Sequence, residues 1–359
     1  MSATLPNALR STAALRDVLP SRGPVLIVPH DYPDPDALAS AAGLHLLLER
    51  AYHLHSRIVF TGAVDRAENK VLLRHYRYRW HFSDELRPLA RRRPAIFVDT
   101  WPGAGNVTMP PSVRPVGAID HHPPPARTPP DGWYVDVQPA AGATATLVFG
   151  YLREAGVEIP AWLASAMAYA IETETMAFTR PATDADREAY GALIARANLR
   201  MIGEIRNAPL PRDHFAQLQA AIANARIYGN LAWTHLEDAE PPEMVAEVAD
   251  LLLRIERVTA SFCTGARADQ LLVSLRGERR DARCGRIVQE AVRPDGRGGG
   301  HDRMAAGVVP LAGLSPKERA ERLRRLQTAL LRRMVSRARW GETDAETLGR
   351  ALTGAVPTP

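Results

Sequence analysis

Three short apolar runs in the first third of the chain end in the same way, and that shared ending constrains the fold more than any other feature. Val25-Leu-Ile-Val28 runs into Pro-His30-Asp-Tyr-Pro-Asp34-Pro-Asp36. Ala95-Ile-Phe-Val98 runs into Asp99, and Val116-Gly-Ala-Ile119 runs into Asp120-His121-His122. Short apolar runs bounded by turn residues read as buried strands. Segments of helical period separate them. Residues 36–51 carry Leu38, Ala41, Ala42 and Leu46 on one face, residues 57–60 read as a further strand, and residues 67–75 read as a further helix. Strands alternating with helices specify an α/β fold built on a parallel sheet with crossovers. In such a sheet the carboxyl ends of the strands share one edge, and open α/β sheets build their sites there. That edge would gather His30, Asp34, Asp36, Asp99, Asp120, His121 and His122 in one place.

Carboxylates and imidazoles packed this densely repel one another when ionised, and a bound divalent cation is the usual remedy. Each piece has a plainer explanation: Asp34 or Asp36 caps a helix, Asp99 starts a turn, and His121-His122 lies at the surface. Capping accounts for one aspartate but not for a whole set of ligands at strand ends. The combination therefore points to a two-metal site.

At 359 residues, 46% apolar and 24% charged, the chain is an ordinary globular protein, long enough for about two domains. The net charge of +5 comes largely from arginine, much of it in the C-terminal third, and suits an anionic substrate without demanding one. Two cysteines, Cys263 and Cys284, imply no disulfide framework and suggest a reducing, cytoplasmic setting. No apolar run reaches membrane-spanning length and no signal peptide is legible, so no membrane partner is expected.

Downstream, residues 144–154 and 161–172 read as helices, and the second leads into Ala170-Ile-Glu-Thr-Glu174-Thr-Met-Ala-Phe178. A polar helical region broken by Pro209 and Pro211 follows. A second α/β pattern then begins near Ile227, with strands at 231–235, 258–263 and 270–276 and helices at 242–253 and 284–292. Next comes Gly296-Arg-Gly298-Gly299-Gly300-His301-Asp-Arg-Met-Ala-Ala-Gly307. Glycines let a backbone approach an anion closely, and successive amides form a nest for phosphate oxygens. Finally Ser315, with Glu318 three residues on, opens a capped helix with an apolar stripe of Leu323, Leu326, Leu330 and Val335 among many arginines. The favoured reading docks that helix on its own lobe. A partner helix, a dimer element and a nucleic-acid contact are the alternatives.

His30-x-x-x-Asp34-x-Asp36, Asp99 and Asp120-His121-His122 resemble the first three motifs of the DHH phosphoesterase superfamily. That superfamily includes RecJ-type exonucleases, family II pyrophosphatases, exopolyphosphatases, cyclic-dinucleotide phosphodiesterases and nanoRNase/3′-phosphoadenosine 5′-phosphate phosphatases. In the fourth motif the family usually carries Thr-Asp-Thr. Here Glu174 stands at the aspartate, one methylene longer, which leaves the tightness of the second metal open. If the backbone is extended there, Glu172 and Glu174 point to opposite sides, and the resemblance favours Glu174. Gly-Gly-Gly-His-x-x-x-Ala-Ala-Gly is similar to the signature of the DHH-associated substrate-binding domain. The same resemblance singles out Arg276 as a nucleotide or phosphate contact.

The resemblance implies a two-lobed protein. Residues 1–205 would be the catalytic domain, 206–226 a linker helix, 227–314 the substrate-binding domain and 315–359 a basic helix and tail outside the family pattern. One metal would take His30, Asp34 and Asp99; the other would take Asp36, Asp99, His121 and Glu174. His122 would act as donor or general acid, and Asp120 would orient an imidazole. Gly298, Gly299, Gly300, His301 and Arg276 would hold the far end of the substrate. Mixed imidazole and carboxylate ligands suit manganese, with magnesium, cobalt or zinc as alternatives. The two-lobed layout resembles the nanoRNase branch most, so the expected substrates are very short RNA, linear dinucleotides or 3′-phosphoadenosine 5′-phosphate. A cyclic- or linear-dinucleotide phosphodiesterase is the rival within the class. A nucleotide- or RNA-binding module with a decayed metal site is the rival outside it. A homodimer is compatible with all three.

Overall fold

The structure is a computed structural model that describes residues 11–337 apart from 63, 65, 77–79, 83–91, 111–112, 124–129 and 280–281. The chain divides into two compact units, residues 1–209 and 210–359.

The first unit follows the order α1 (Thr12–Asp17), β1 (Val25–Val28), α2 (Pro35–Arg50), β2 (Ser56–Phe60), α3 (Ala67–His75), β3 (Trp80–Phe82), β4 (Arg93–Val98), β5 (Val113–Asp120) and β6 (Tyr134–Val137). It continues with α4 (Thr144–Glu154), α5 (Ala161–Glu174), α6 (Asp184–Ile194) and α7 (Leu199–Arg206). Its six strands form one sheet in the order β3-β2-β1-β4-β5-β6, every pair parallel. Strands β3 and β6 at the two edges were not read in advance, because β3 has only three residues and Asp136 interrupts β6.

Period-two alternation divides the central strands between two cores. Val25 and Ile27 of β1, with Ile96 and Val98 of β4, face the larger core under α2, α4 and α5. Leu26, Val28, Ala95 and Phe97 face a smaller one closed by Trp101 and Val113. Sheets covered on both faces make continuous apolar runs, which is why these strands read so clearly. Helix α2 is buried nearly all round, from Pro35 to Leu48. It approaches α4 so closely that a Cβ on Gly43 would lie 2.7 Å from Val148 Cγ1. In this order the chain reverses direction across the sheet between β1 and β4, which opens a crevice at their carboxyl ends.

The second unit contains α8 (Arg212–Ala223), β7 (Arg226–Tyr228), β8 (Leu231–Leu236), α9 (Met244–Leu252), β9 (Ala260–Arg267), β10 (Gln270–Gly277), α10 (Cys284–Val292), β11 (Arg297–Gly300), β12 (Met304–Pro310) and α11 (Pro316–Arg337). Its sheet runs β11-β12-β10-β9-β8-β7, and only β8 and β9 pair in parallel. The glycine run is therefore strand rather than irregular nest: Gly298, Gly299 and Gly300 lie opposite Gly307, Ala306 and Ala305.

Ser315 and Glu318 form the expected reciprocal cap on α11, with Ser315 N–H donating to Glu318 Oε2 at 2.8 Å. Leu326, Leu330, Leu331 and Met334 of that helix are buried in the core that also takes Ile287 and Val288 of α10. Its arginines are largely committed to ion pairs: Arg319 with Asp269, Arg322 and Arg325 with Asp295, and Arg333 with Glu290. The side chain of Val335 and residues 338–359 lie outside the described part. No described helix is long and apolar enough to cross a membrane.

Candidate metal centre

The crevice of the parallel sheet brings the strand-end residues together. His30 follows β1, Asp34 and Asp36 open α2, Asp99 follows β4, and Asp120-His121-His122 close β5. Asp99 is central. Its backbone adopts a left-handed φ of 58°, uncommon for a residue other than glycine, and its side chain is 1% exposed. Its two oxygens look in different directions. Oδ2 is 3.5 Å from His30 Nε2, and Oδ1 is 3.6 Å from His121 Nε2.

Two groups of ligand atoms share this carboxylate: His30, Asp34 and Asp99 on one side, and Asp99, His121 and His122 on the other. Asp36 is adjacent to the second, with Oδ2 3.8 Å from His121 Nε2. Glu174 is the last residue of α5, which runs one half-turn further than the sequence indicates. A helix still sends residues 172 and 174 to nearly opposite sides. Glu172 turns away to pair with Arg206 and Tyr190, while the Glu174 carboxyl feels the charges of Asp34, Asp99 and His122.

The half-buried imidazoles of His30 and His121 are both held in the tautomer a metal needs. His30 Nδ1 is 2.8 Å from the Asp31 carbonyl and His121 Nδ1 is 3.2 Å from the Ala141 carbonyl. A carbonyl only accepts, so Nδ1 carries a proton in each, and in the neutral ring Nε2 turns its lone pair into the site. His121 Nε2 is buried with no hydrogen-bond partner. An orphaned lone pair facing two carboxylates fits a cation, and oxygen and imidazole donors together fit a divalent one.

The electrostatics agree. Burial raises the pKa of Asp36 well above the usual range, and the negative charges of Asp99, Glu174 and Asp34 add to it. Burial, then the charges of Asp34 and Asp99, push Glu174 up to about 7. Burial opposes a charged His30, but hydrogen bonds and charge from Asp34 and Asp99 outweigh it and raise its pKa. Burial likewise opposes ionised Asp34, yet His30 and the Ala37 amide hold its pKa far below the usual value. Protons are thus held where positive charge is missing.

The plain reading of Asp34, a helix cap, is borne out. Its Oδ1 accepts from the backbone N–H of Asp36 and Ala37, each at 3.0 Å, so it caps α2 while facing His30. Asp36 caps a different helix. Its carboxylate accepts from the amides of Thr144 at 2.7 Å and Ala145 at 2.8 Å, the amino end of α4, whose own cap residue Ala143 has no side chain to offer. The Thr144 hydroxyl donates to Asp99 Oδ1 at 2.8 Å.

Thr144 was not read from the sequence as part of the site. The small-residue run Ala140-Ala-Gly-Ala143 before a helix was the available signal. Asp186 was missed too. Buried, it accepts from Gly142 N–H at 2.9 Å, Thr146 Oγ1 at 2.6 Å, and both the N–H and Oγ1 of Thr183 at 2.7 Å. It pins the loop that delivers Thr144.

His122 differs from its neighbour. Its side chain is 46% exposed, and its Nδ1 and backbone N–H both donate to Asp120 Oδ1, at 2.8 and 3.0 Å. That hydrogen bond, against partial burial, raises its pKa to about 9. Asp120 therefore orients an imidazole, and the imidazole is that of His122. With Nδ1 committed, Nε2–H is left as a donor.

In the second unit, Gly300 and His301 line a cavity of about 460 Å³ with Arg283, Gly285, Arg286 and Asp302. Its wall is tight, since a Cβ on Gly285 would lie 2.3 Å from the Gly300 carbonyl oxygen. Gly298 and Gly299 lie in β11 outside that lining. Arg276 is engaged elsewhere, with Nε and Nη2 on Asp250 at 2.6 and 3.2 Å and Nη1 on Ser274 at 2.7 Å.

Comparison with known proteins agrees with this organisation. The model of the DHH family, N-terminal domain, matches residues 24–171, and that of the DHHA1 domain matches residues 227–335, reaching into α11. An uncharacterised protein of Methanocaldococcus jannaschii is 29% identical over 315 residues, 88% of this chain; the chain spans 64% of that protein's length. The fold is similar to that of an exopolyphosphatase-related protein from Bacteroides fragilis, with a TM-score of 0.71 at 17% identity, covering 94% of this chain and 99% of that one. It is also similar to manganese-bound exonuclease RecJ, with a TM-score of 0.54 at 15% identity, covering 92% and 96%.

Proposed function

Because this chain joins a DHH-family domain over residues 24–171 to a DHHA1 domain over residues 227–335, we propose that the cluster around Asp99 is the active centre of a metal-dependent phosphoesterase. The observation that carries the reading is the pair of ligand groups sharing Asp99, with His121 Nε2 buried and unpartnered between carboxylates. His30, Asp34 and Asp99 would hold one divalent cation. Asp99, His121 and Asp36 would hold a second, with Glu174 closing the set. The cations would supply Lewis acidity to the phosphoryl oxygens.

The chain's own groups do the rest. Thr144 and the amino end of α4 keep Asp36 and Asp99 in place. Protonated His122, oriented by Asp120, donates to the leaving oxygen, a task that suits an acid still charged at neutral pH. The substrate class we infer is a very short oligoribonucleotide or linear dinucleotide, with 3′-phosphoadenosine 5′-phosphate a related substrate. Manganese is the expected metal, in keeping with the manganese bound by RecJ. Arg283 and Arg286 make the second-unit cavity suited to an anion. Arg276 reaches substrate only by releasing Asp250. The buried free thiols of Cys263 and Cys284 fit a reducing compartment.

The test is hydrolysis with manganese, against an EDTA control, of a panel: a diribonucleotide, 5-mer and 20-mer RNA, 3′-phosphoadenosine 5′-phosphate, a cyclic dinucleotide and pyrophosphate. Preference for the shortest RNAs supports the proposal. Preference for the cyclic dinucleotide moves the chain to the signalling class, and nucleotide binding without turnover makes it a binding module.

A further inference from the structure

We infer that Tyr32 is a stacking platform for a substrate nucleobase at the rim of the metal centre, an inference that rests on the nucleotide reading above. Tyr32 stands two residues from both His30 and Asp34 in sequence. Its backbone is left-handed, with φ of 54°. That region is sparse for a bulky residue, and Pro33 biases the residue before it toward extended backbone. Glycine or asparagine would adopt the conformation with less strain.

The conformation is held on both sides. Tyr32 N–H donates to the Thr61 carbonyl at 3.0 Å and Asp31 N–H to the Asn106 carbonyl at 2.8 Å. The Asp31 carboxylate accepts from the amide and hydroxyl of Thr108 at 3.0 and 2.7 Å.

This strain serves placement rather than burial, because Tyr32 remains 53% exposed. The ring is nonetheless backed. Gly62, itself at φ of +89°, lies so close that a Cβ there would come within 2.8–3.0 Å of ring atoms Cδ1, Cε1 and Cγ. A lone exposed aromatic needs no explanation. One held in a strained backbone, seated on a glycine where any Cβ would displace the ring, and flanked in sequence by two candidate ligands is built for contact. Strain of this kind persists where surrounding structure enforces it, typically at ligand sites. Every nucleobase offers a π-face, so a stacking platform suits substrates of mixed sequence.

The experiment measures equilibrium binding, to the full chain with manganese, of a hydrolysis-resistant diribonucleotide phosphorothioate and of its abasic counterpart. Tyr32→Ala should weaken the base-bearing ligand by roughly 5- to 100-fold, the range for loss of one stacked base. It should leave the abasic ligand and manganese affinity unchanged. Tyr32→Phe should bind like the parent chain, and Gly62→Ala, which displaces the ring without removing it, should reproduce part of the loss. Unchanged base-bearing affinity in Tyr32→Ala overturns the inference, as does equal weakening of both ligands. A parent chain that hydrolyses phosphodiesters but binds both ligands alike refutes the platform and leaves the phosphoesterase standing. One that neither hydrolyses nor binds either ligand refutes both.

Discussion

Asp186 should matter to the metal centre although it touches no candidate ligand. Its buried carboxylate accepts four hydrogen bonds, from Gly142 N–H, Thr146 Oγ1, Thr183 N–H and Thr183 Oγ1, at 2.6 to 2.9 Å. Asp186→Ala would strand the Gly142 amide and the Thr146 hydroxyl in the interior, at about 1–3 kcal/mol for each group left unsatisfied, and would remove the cap from the half-buried Thr183 N–H and hydroxyl. Relaxation and partial rescue by water reduce that sum, so we expect a loss of about 3–5 kcal/mol, typical of breaking a buried charged network. In a unit of this size that lowers Tm by roughly 6–20 °C. Asp186→Asn keeps the shape and at least one acceptor oxygen, and should cost about 1–2 kcal/mol by turning charge-assisted bonds into neutral ones.

The pH dependence has a definite sign. Burial opposes the ionised form, but the Thr146 and Thr183 hydrogen bonds outweigh it and lower the pKa below 3.8. A depressed folded-state pKa gives stability that is complete above the unfolded value and lost as pH falls through the folded one. The gap between Asp186→Asn and the parent chain should therefore be full at pH 7 and shrink below about pH 4. Thermal unfolding by circular dichroism at both pH values checks this, and manganese titration should show weakened affinity as the Gly142 to Thr144 loop loosens. If both variants melt with the parent chain, the network does not carry the loop and the reasoning fails.

Glu174→Gln should stabilise the metal-free chain at pH 8. Burial and the charges of Asp34 and Asp99 push its folded-state pKa from the ordinary 4.5 up to about 7, so its stability contribution is complete below 4.5 and lost as pH rises to about 7. The variant should melt above the parent without metal and below it with saturating manganese; a parent that is equally stable in both forms without metal contradicts the burial argument. Asp120→Asn should shift the alkaline limb of the pH–rate profile downward, because a neutral amide oxygen replaces the anionic acceptor whose hydrogen bond raises His122; an unmoved limb removes His122 from the acid role. Manganese binding should release protons, since His30, Asp36 and Glu174 all hold protons above their ordinary pKa values. Titration in buffers of different ionisation enthalpy reads that release directly.

The parallel sheet was legible because its central strands are buried on both faces and therefore read as unbroken apolar runs, and because their carboxyl ends carry side chains whose charges need a partner. The edge strands Trp80–Phe82 and Tyr134–Val137 were not, since one is a single three-residue stretch and the other is broken by Asp136. The glycine run looked like a loop because glycine carries no strand propensity. It pairs because the facing strand supplies Ala305, Ala306 and Gly307. Side chains able to ligate announce themselves by type, so His30, Asp34, Asp36, Asp99 and His121 could be named in advance as candidates, and the structure gathers them at one sheet edge. Groups that hold ligands do not: Thr144 and Asp186 act through amides and hydroxyls whose partners are distant in sequence. Nor can a sequence show that a tyrosine is held at positive φ.

Asp99 is proposed to join two cation sites. Calorimetric titration of manganese into the metal-free chain tests it most directly, with His30→Ala, His121→Ala and Asp99→Asn alongside. The account predicts two ions per chain, with His30→Ala and His121→Ala each removing one and Asp99→Asn weakening both. A chain that binds no ion, or whose manganese binding is indifferent to Asp99, would contradict it.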